Sequence, residues 1–510
     1  MNLSTSSTVV ILSIAKYLGY ADISTLNTLN KYFNKVLLMF PIDLSFTKMH
    51  ICMFDKYFKR RNNINIVGLS VYFRNVDVNL SSLIPFLPQM ERLSLNYNED
   101  VNSNFVNIDC LRSCIKLSTL TLEIAVQNYN SLQYCSKLED LTVRKPFSST
   151  DSESLSLCSQ LKFLTLIDYF TSLESTTSLS LLEILRVEDI LVSELPLYTG
   201  CPNLREAYVS SHSMTNISSL SYCRTLIKLH INNADRNIDF SPLIYCAFLQ
   251  ELLINTEQNT HYSCQLTTTM FSSSLRKISL SSCLFDDKCS FEELLVLEVL
   301  ILHNIRSVTL IPPLPICNGL KELTLDGMPI NNLSKYKNTK QLRMLNIANC
   351  PDLVCIDFIF KCSKLVALFL SNCPLIATIN ANKGLLGLYL HQMTNIKNLK
   401  FLSNYPLLNM LTLVDPYSLL LDFTPITQCV NLVELKLIQT KITDLRILCT
   451  LKKLTVLVLK RMYAFKLMPL IGCTSLRRLE LDYHYQVDDK EEFLSKIPKT
   501  LLISTSNKYC

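Results

Sequence analysis

From residue 66 onward one pattern of apolar and polar positions governs the chain. It runs aliphatic, two variable residues, aliphatic, one mostly polar residue, aliphatic. Units begin at Ile66, Met90, Leu117, Leu138, Leu161, Leu182, Leu204, Leu226, Leu249 and Leu275. They continue at Leu297, Leu320, Leu342, Leu365, Leu385, Leu408, Leu432, Leu454 and Leu476, about 23 residues apart. Only Ala207 puts a small residue at the second apolar position, and a degenerate further unit, PKTLLI, starts at Pro498. The last two apolar positions of each unit are separated by one residue, the period of two that marks a strand with one buried face.

Two more columns precede each strand. Six residues before the first apolar position most units carry a large apolar residue, among them Leu132, Leu220, Leu243, Leu402, Ile426 and Leu470. Three residues before it, ten units carry cysteine: Cys114, Cys135, Cys158, Cys201, Cys223, Cys246, Cys317, Cys362, Cys429 and Cys473. A spacing of three predicts a short 3₁₀ or helical turn whose inner side faces the strand. Leucine takes the same place at Leu87, Leu179, Leu294 and Leu451. Free cysteine behaves as a small hydrophobe, so the shared column reads as core packing rather than chemistry. Metal ligands would have to converge, whereas these cysteines belong to successive turns, and no CxxC pair occurs.

The pattern resembles the leucine-rich repeat family from roughly residue 64 to the C-terminus. The resemblance implies an α/β solenoid, a horseshoe with a parallel sheet on its concave side, in which stacked repeats bury one continuous core. The family usually places asparagine or cysteine three residues past the last leucine. Asn98, Cys283, Cys350 and Cys373 fit, while Pro146, Ile190 and Met462 do not, so an irregular backbone ladder is expected there.

The first forty residues follow another rule. Val10, Ile14, Tyr17 and Leu18 fall on one helical stripe, GYAD interrupts it, and Asp22 is placed to cap a second helix carrying Ile23, Leu26, Leu29 and Phe33. The run IAKYLGYADISTL, followed by KYF, resembles the F-box across residues 8 to 37, with Ser6 and Ser7 where that family carries leucine and proline. The resemblance implies a substrate receptor. Its F-box, through Val10, Ile14, Leu18, Ile23, Leu26 and Phe33, docks on a Skp-type adaptor of a cullin ubiquitin ligase, and its repeats hold a protein substrate. Read from the residues alone, the same segment also serves as a helical cap on the apolar end of the array. The expected domains are an F-box-like module at 1–40, a helical linker or N-terminal cap at 41–65 and the repeats at 66–510. KMHICMFDKYFKRRNN reads as an amphipathic linker helix.

Composition narrows the function. The chain has 510 residues, 48% of them hydrophobic, which is enough to bury a large core. Its 49 basic and 43 acidic side chains nearly balance, so no nucleic-acid partner is expected. Eight glycines, with no GxGxxG or GxxxxGK[ST] run, give no phosphate-cradling loop. No metal or cofactor is expected. The N-terminus lacks a basic region and has only a seven-residue apolar run, Val9 to Ala15, and no stretch is long enough to span a membrane. An intracellular protein, cytoplasmic or nuclear and not secreted, is the expectation, with reduced thiols. The seven histidines are scattered, and no hydrolase or metalloprotease signature accompanies them. No active site is predicted, although His230, His303 and His391 fall at strand positions facing the concave side.

Strand alternation also predicts which side chains line that side. In the earlier units they are polar: Arg92, Ser94, Thr119, Glu123, Asp140, Arg144, Arg186 and Glu188. From the unit at Leu365 they turn apolar: Phe369, Tyr389, Met410, Val414, Ile438, Val456 and Val458. Monomeric proteins rarely leave such a contiguous patch exposed, so a protein partner is expected there, with Glu434, Lys436 and His391 at its edge.

Overall fold

The computed structural model describes residues 42–49, 66–73, 80–97, 106–124, 126, 129–144, 155, 157–168, 179–188, 201–211, 214–234, 238–256, 265–266, 271–285, 291, 293–305, 319–333, 339–417, 420, 422–462, 465–482, 489–498 and 500–506. The F-box-like segment, with Val10, Ile14, Leu18, Ile23, Leu26 and Phe33, lies outside the described residues. The chain divides into two compact units, Met1–Leu249 and Gln250–Cys510.

Each unit is a stack of parallel strands, one per repeat, and each is a leucine-rich repeat solenoid. The strands are five residues long almost throughout, with burial alternating so that the second and fourth side chains point inward, as in Thr119–Glu123, Lys277–Ser281 and Glu434–Ile438. Neighbours pair residue for residue. In the second unit Leu300, Leu323, Leu345, Leu368, Leu388, Leu411, Leu435, Leu457 and Leu479 lie in one register row. All are buried. A slip of one residue would turn this row to solvent, which is why the register holds without shifts.

The cysteine column lies where the sequence places it, and the structure shows what it does. Short 3₁₀ turns such as Asn130–Tyr134, Ser241–Tyr245 and Thr424–Gln428 end on Cys135, Cys246 and Cys429. There the backbone takes φ near −85° and ψ near 64°, an inverse γ-turn conformation that redirects the chain into the strand. Cys135 donates its N–H to Leu132 O (2.9 Å), and its own carbonyl accepts from Leu138 N (3.0 Å). Nine of the ten column cysteines are described, and all nine are buried and free. Several thiols reach the carbonyl of the preceding repeat: Cys135 to Leu111 O (3.7 Å), Cys158 to Leu132 O (3.8 Å) and Cys246 to Leu220 O (3.5 Å). Leucine cannot make that weak bond. Tyr405, in the same column, does it with a hydroxyl, donating to Ile379 O at 2.6 Å.

Two expectations are corrected. Residues Ile42–Met49 form a strand paired in parallel with Ile66–Phe73, so this part of the expected 41–65 helical linker is a repeat strand. The alternation of Ile42, Leu44 and Phe46 with polar residues favours a strand. The remainder of the expected linker helix is outside the described residues.

The turn after the strand is also more regular than expected at Met462, while Pro146 and Ile190 lie outside the described residues. In the second unit the residue two past the last aliphatic adopts a left-handed conformation at Ser282, Asn304, Gly327, Asn349, Asn372, Gln392, Gln439 and Arg461. The N–H of most of these donates to the last carbonyl of the next strand, as in Asn304 to Asp326 O (2.7 Å) and Gln439 to Lys460 O (2.9 Å). The ladder therefore runs through the backbone of this position. The following side chain only needs to be buried, so Met462 substitutes for cysteine without breaking it. At Gly327, φ is +63° and an added Cβ would lie 2.0 Å from Asn304 Oδ1, so a side chain there would have to displace the Asn304 amide.

At the C-terminus the strand Leu502–Ser506 pairs with Arg478–Asp482, which places a strand at the degenerate unit. Between them the helix Lys490–Lys496 buries Phe493, and the Asp489 carboxylate accepts from the N–H groups of Leu467 and Met468 at 2.9 and 2.8 Å.

Candidate functional site: two faces of the strand layer

The first, third and fifth residues of each strand form three exposed columns, and their chemistry differs between units. In the second unit the third-position row runs Asn346, Phe369, Tyr389, Thr412, Lys436, Val458, Glu480. The first-position row beside it runs Met344, Ala367, Gly387, Met410, Glu434, Val456, Arg478. Phe369 is 37% exposed, Met344 37% and Met410 49%. The Phe369 and Tyr389 rings lie 6.1 Å apart, tilted by 39°. Between the two methionines the floor drops to Ala367 and Gly387. A Cβ built at Gly387 would meet nothing closer than Val366 O at 4.0 Å. Packing therefore does not demand glycine at a strand position where it costs about 0.5–1 kcal/mol. The result is an apolar recess walled by Met344, Phe369, Tyr389 and Met410.

Of the residues predicted for this patch, the structure brings Phe369, Tyr389 and Met410 together, with Val414 and Ile438 half-buried in the fifth-position row. Val456 is half-buried and further along. Val458 is the exception, buried to 4%. It stands in register between Lys436 and Glu480, and Glu480 is ion-paired with Lys460 (3.6 Å) and Arg478. Flanked by long charged side chains whose stems screen apolar neighbours, Val458 is removed from the exposed patch. Glu434 and Lys436 pair with each other at 2.7 Å and bound it. His391 bounds it too, its Nδ1 2.9 Å from Ser371 Oγ, and burial holds its pKa below the usual histidine value. Met344 and Gly387 were not predicted. With only eight glycines in the chain, one inside a repeat strand was a signal that could have found Gly387.

Around the strands Ile184–Glu188, Glu206–Ser210 and Lys228–Ala234 of the first unit the same columns are largely polar and interlocked. Arg186, Tyr208 and His230 share the third-position row. The Arg186 guanidinium lies over the Tyr208 ring at 5.1 Å, and the His230 ring meets it edge-on at 4.7 Å. Tyr208 Oη donates to Glu206 Oε2 at 2.7 Å, and Lys228 Nζ lies 2.8 Å from Glu206 Oε1. The Lys228 ammonium, and then the Tyr208 hydroxyl, hold the Glu206 carboxyl below the usual carboxylate range. Desolvation, and then Glu206, push the Tyr208 phenol up. A pocket of about 370 Å³ opens here, lined by Arg186, Val187, Glu188, Tyr208, Val209, Ser210 and Asn232. Arg186 and Glu188 were legible as concave polar residues, whereas Tyr208 as the platform between strands was not.

The three strand histidines each have a different neighbour: His230 the Tyr208 ring, His303 the Asp326 carboxylate (3.2 Å) and His391 Ser371. Among the described residues no three His, Cys, Asp or Glu side chains gather as metal ligands, and no helix is long and apolar enough to cross a membrane.

No protein-family model matches the chain, and no curated protein sequence matches it significantly. Solved structures resemble it at low identity. The leucine-rich repeat ectodomain of the membrane receptor kinase GASSHO1/SCHENGEN3 from Arabidopsis thaliana, in complex with CASPARIAN STRIP INTEGRITY FACTOR 2, is 15% identical, covering 92% of this chain and 69% of its own, with a TM-score of 0.39. An internalin (inlF) from Listeria monocytogenes is 14% identical over 85% of this chain and 89% of its own, with a TM-score of 0.28. The leucine-rich repeat protein LIC12759 of Leptospira interrogans is 15% identical over 86% and 90%, with a TM-score of 0.35. The fold is established by the repeat register described above: in each of its units this chain is a leucine-rich repeat solenoid.

Proposed function

We propose that the chain is a non-catalytic protein-binding solenoid that captures a protein partner on the second unit's exposed strand face, centred on Phe369, Tyr389 and Met410. The observation that carries this reading is the exposed, in-register cluster of two aromatic rings and two methionines around the Gly387 recess. Aromatic and methionine side chains are enriched at interface cores, and a recess lets a partner's apolar anchor become fully desolvated. Phe369→Asp together with Met410→Asp places charge at two exposed positions without touching the buried leucine rows. Affinity capture with the wild type, the double variant and a control variant at exposed Phe248 tests it by quantitative mass spectrometry. Partners lost from the double variant alone support the patch, and an unchanged partner set rejects it.

The F-box resemblance of residues 8–37 gives the finer reading of a substrate receptor for a cullin-type ubiquitin ligase. The strand Ile42–Met49 favours a second reading. The first described strand follows residues 8–40 in the sequence, and a parallel stack needs its first edge covered, a role that the two amphipathic helices expected from that sequence would serve. A pulldown with a recombinant Skp-type adaptor separates them. Adaptor binding by the wild type, lost in folded Ile14→Asp and Leu26→Asp variants, establishes the receptor. No binding, with variants that aggregate, establishes the cap.

A further inference from the structure

The first unit's pocket does not depend on the apolar patch and has a different chemistry. Along this face two charge pairs are already made: Arg144 Nε lies 3.1 Å from Asp168, and Lys228 is bound to Glu206. Arg186 and Glu188 stand two residues apart on one strand, both line the pocket, and both are exposed. Among the described residues neither has an ion-pair partner within 4 Å.

Arg186 is nonetheless held in place. Its guanidinium stacks on Tyr208, whose hydroxyl is tied to Glu206, which is tied in turn to Lys228 on the next strand. A guanidinium resting over a ring uses no hydrogen-bond donor on it, which leaves its N–H groups for bidentate contact with a carboxylate. Glu188 offers the opposite charge about 6.6 Å along the strand. From the third strand Asn232 brings an exposed amide to the pocket wall, a donor and acceptor matched to a peptide group. In an extended segment, side chains two residues apart share a face at this same spacing.

We propose that this pocket is a docking site for an extended protein segment carrying an acidic and a basic side chain two residues apart, the acidic one received by Arg186 and the basic one by Glu188. Charge complementarity at a fixed spacing selects the segment, and the preorganised guanidinium reduces the ordering cost of binding.

The test uses the full chain and three acetylated, amidated peptides, GEAKG, GEAEG and GQAQG, titrated calorimetrically at low salt. GEAKG is expected to bind about fivefold tighter than either of the others. Arg186→Gln and Glu188→Gln should each bring GEAKG to the GQAQG level with the thermal midpoint unchanged. Equal binding of GEAKG and GQAQG overturns the site. Equal binding of GEAKG and GEAEG reduces it to a simple anion contact and overturns the paired reading. Undiminished binding by folded Glu188→Gln also overturns it, even if Arg186→Gln fails to fold.

Discussion

The strands Ile184–Glu188 with Glu206–Ser210, and Ala367–Ser371 with Gly387–His391, rest on the same inward columns yet present opposite surfaces. In the first pair Arg186, Tyr208 and Glu206 are linked in a chain of charge, ring and hydroxyl contacts. In the second pair the two rings face each other beside a glycine gap, with Met344 and Met410 on the flanking strands. The contrast shows that in a repeat stack the inward positions set the backbone, which leaves the outward ones open to any chemistry. One scaffold can therefore carry a polar, electrostatically selective pocket and an apolar, area-driven patch.

The buried thiols should give the largest effect, and they do so in both units: burial also pushes Cys473 well up. In the first unit Cys135, Cys158, Cys201, Cys223 and Cys246 are pushed up by burial from 9.0 to about 12, and in the second Cys429 to about 11. A thiol is neutral when protonated, so the folded chain keeps protons that the unfolded chain releases. Stability is intact below pH 9 and falls as pH rises from 9 toward 12. Melting under reducing conditions at pH 8, 9 and 10 should show a steep loss above 9. A flat profile would remove the thiols from the account.

Truncating the inward columns tests whether the scaffold is truly shared. Leu185→Ala in the first unit and Leu388→Ala in the second should each cost about 2–5 kcal/mol, because both side chains fill closed stacks. Chemical denaturation measures both, and a small loss at only one would mean that the two stacks are not equivalent.

The outward columns give the smallest and sharpest contrast. Tyr208→Phe removes the hydroxyl donated to Glu206, and being partly solvated should cost about 0.5 kcal/mol. Tyr389→Phe keeps the ring that faces Phe369 and should leave stability unchanged. Equal effects in the two variants would contradict the division into a bonded and an apolar face.

The repeat units were legible because burial imposes a period on the sequence. Leu345 and Ile347 have to alternate with outward residues, and Cys429 has to precede Leu432 by a 3₁₀ turn. The apolar drift from Phe369 onward was legible for the same reason. Val458 was misread because alternation tells which side a residue faces, not how far its neighbours' stems extend over it. The left-handed turn was missed as well. Ser282, Gln392 and Arg461 are poor residues for that conformation, which the ladder of N–H groups to neighbouring strands imposes on them.

By itself the sequence determined the repeat, its strand and turn columns, and the identity of every outward side chain. These depend on local periodicity and on solvent exclusion, which act within about 23 residues. Tertiary structure alone decided that Arg186 rests on Tyr208, that Gly387 leaves a recess between Met344 and Met410, and that Val458 is covered. Each of these depends on side chains about 20 residues or more apart meeting across strands, and only the stacking register brings them together.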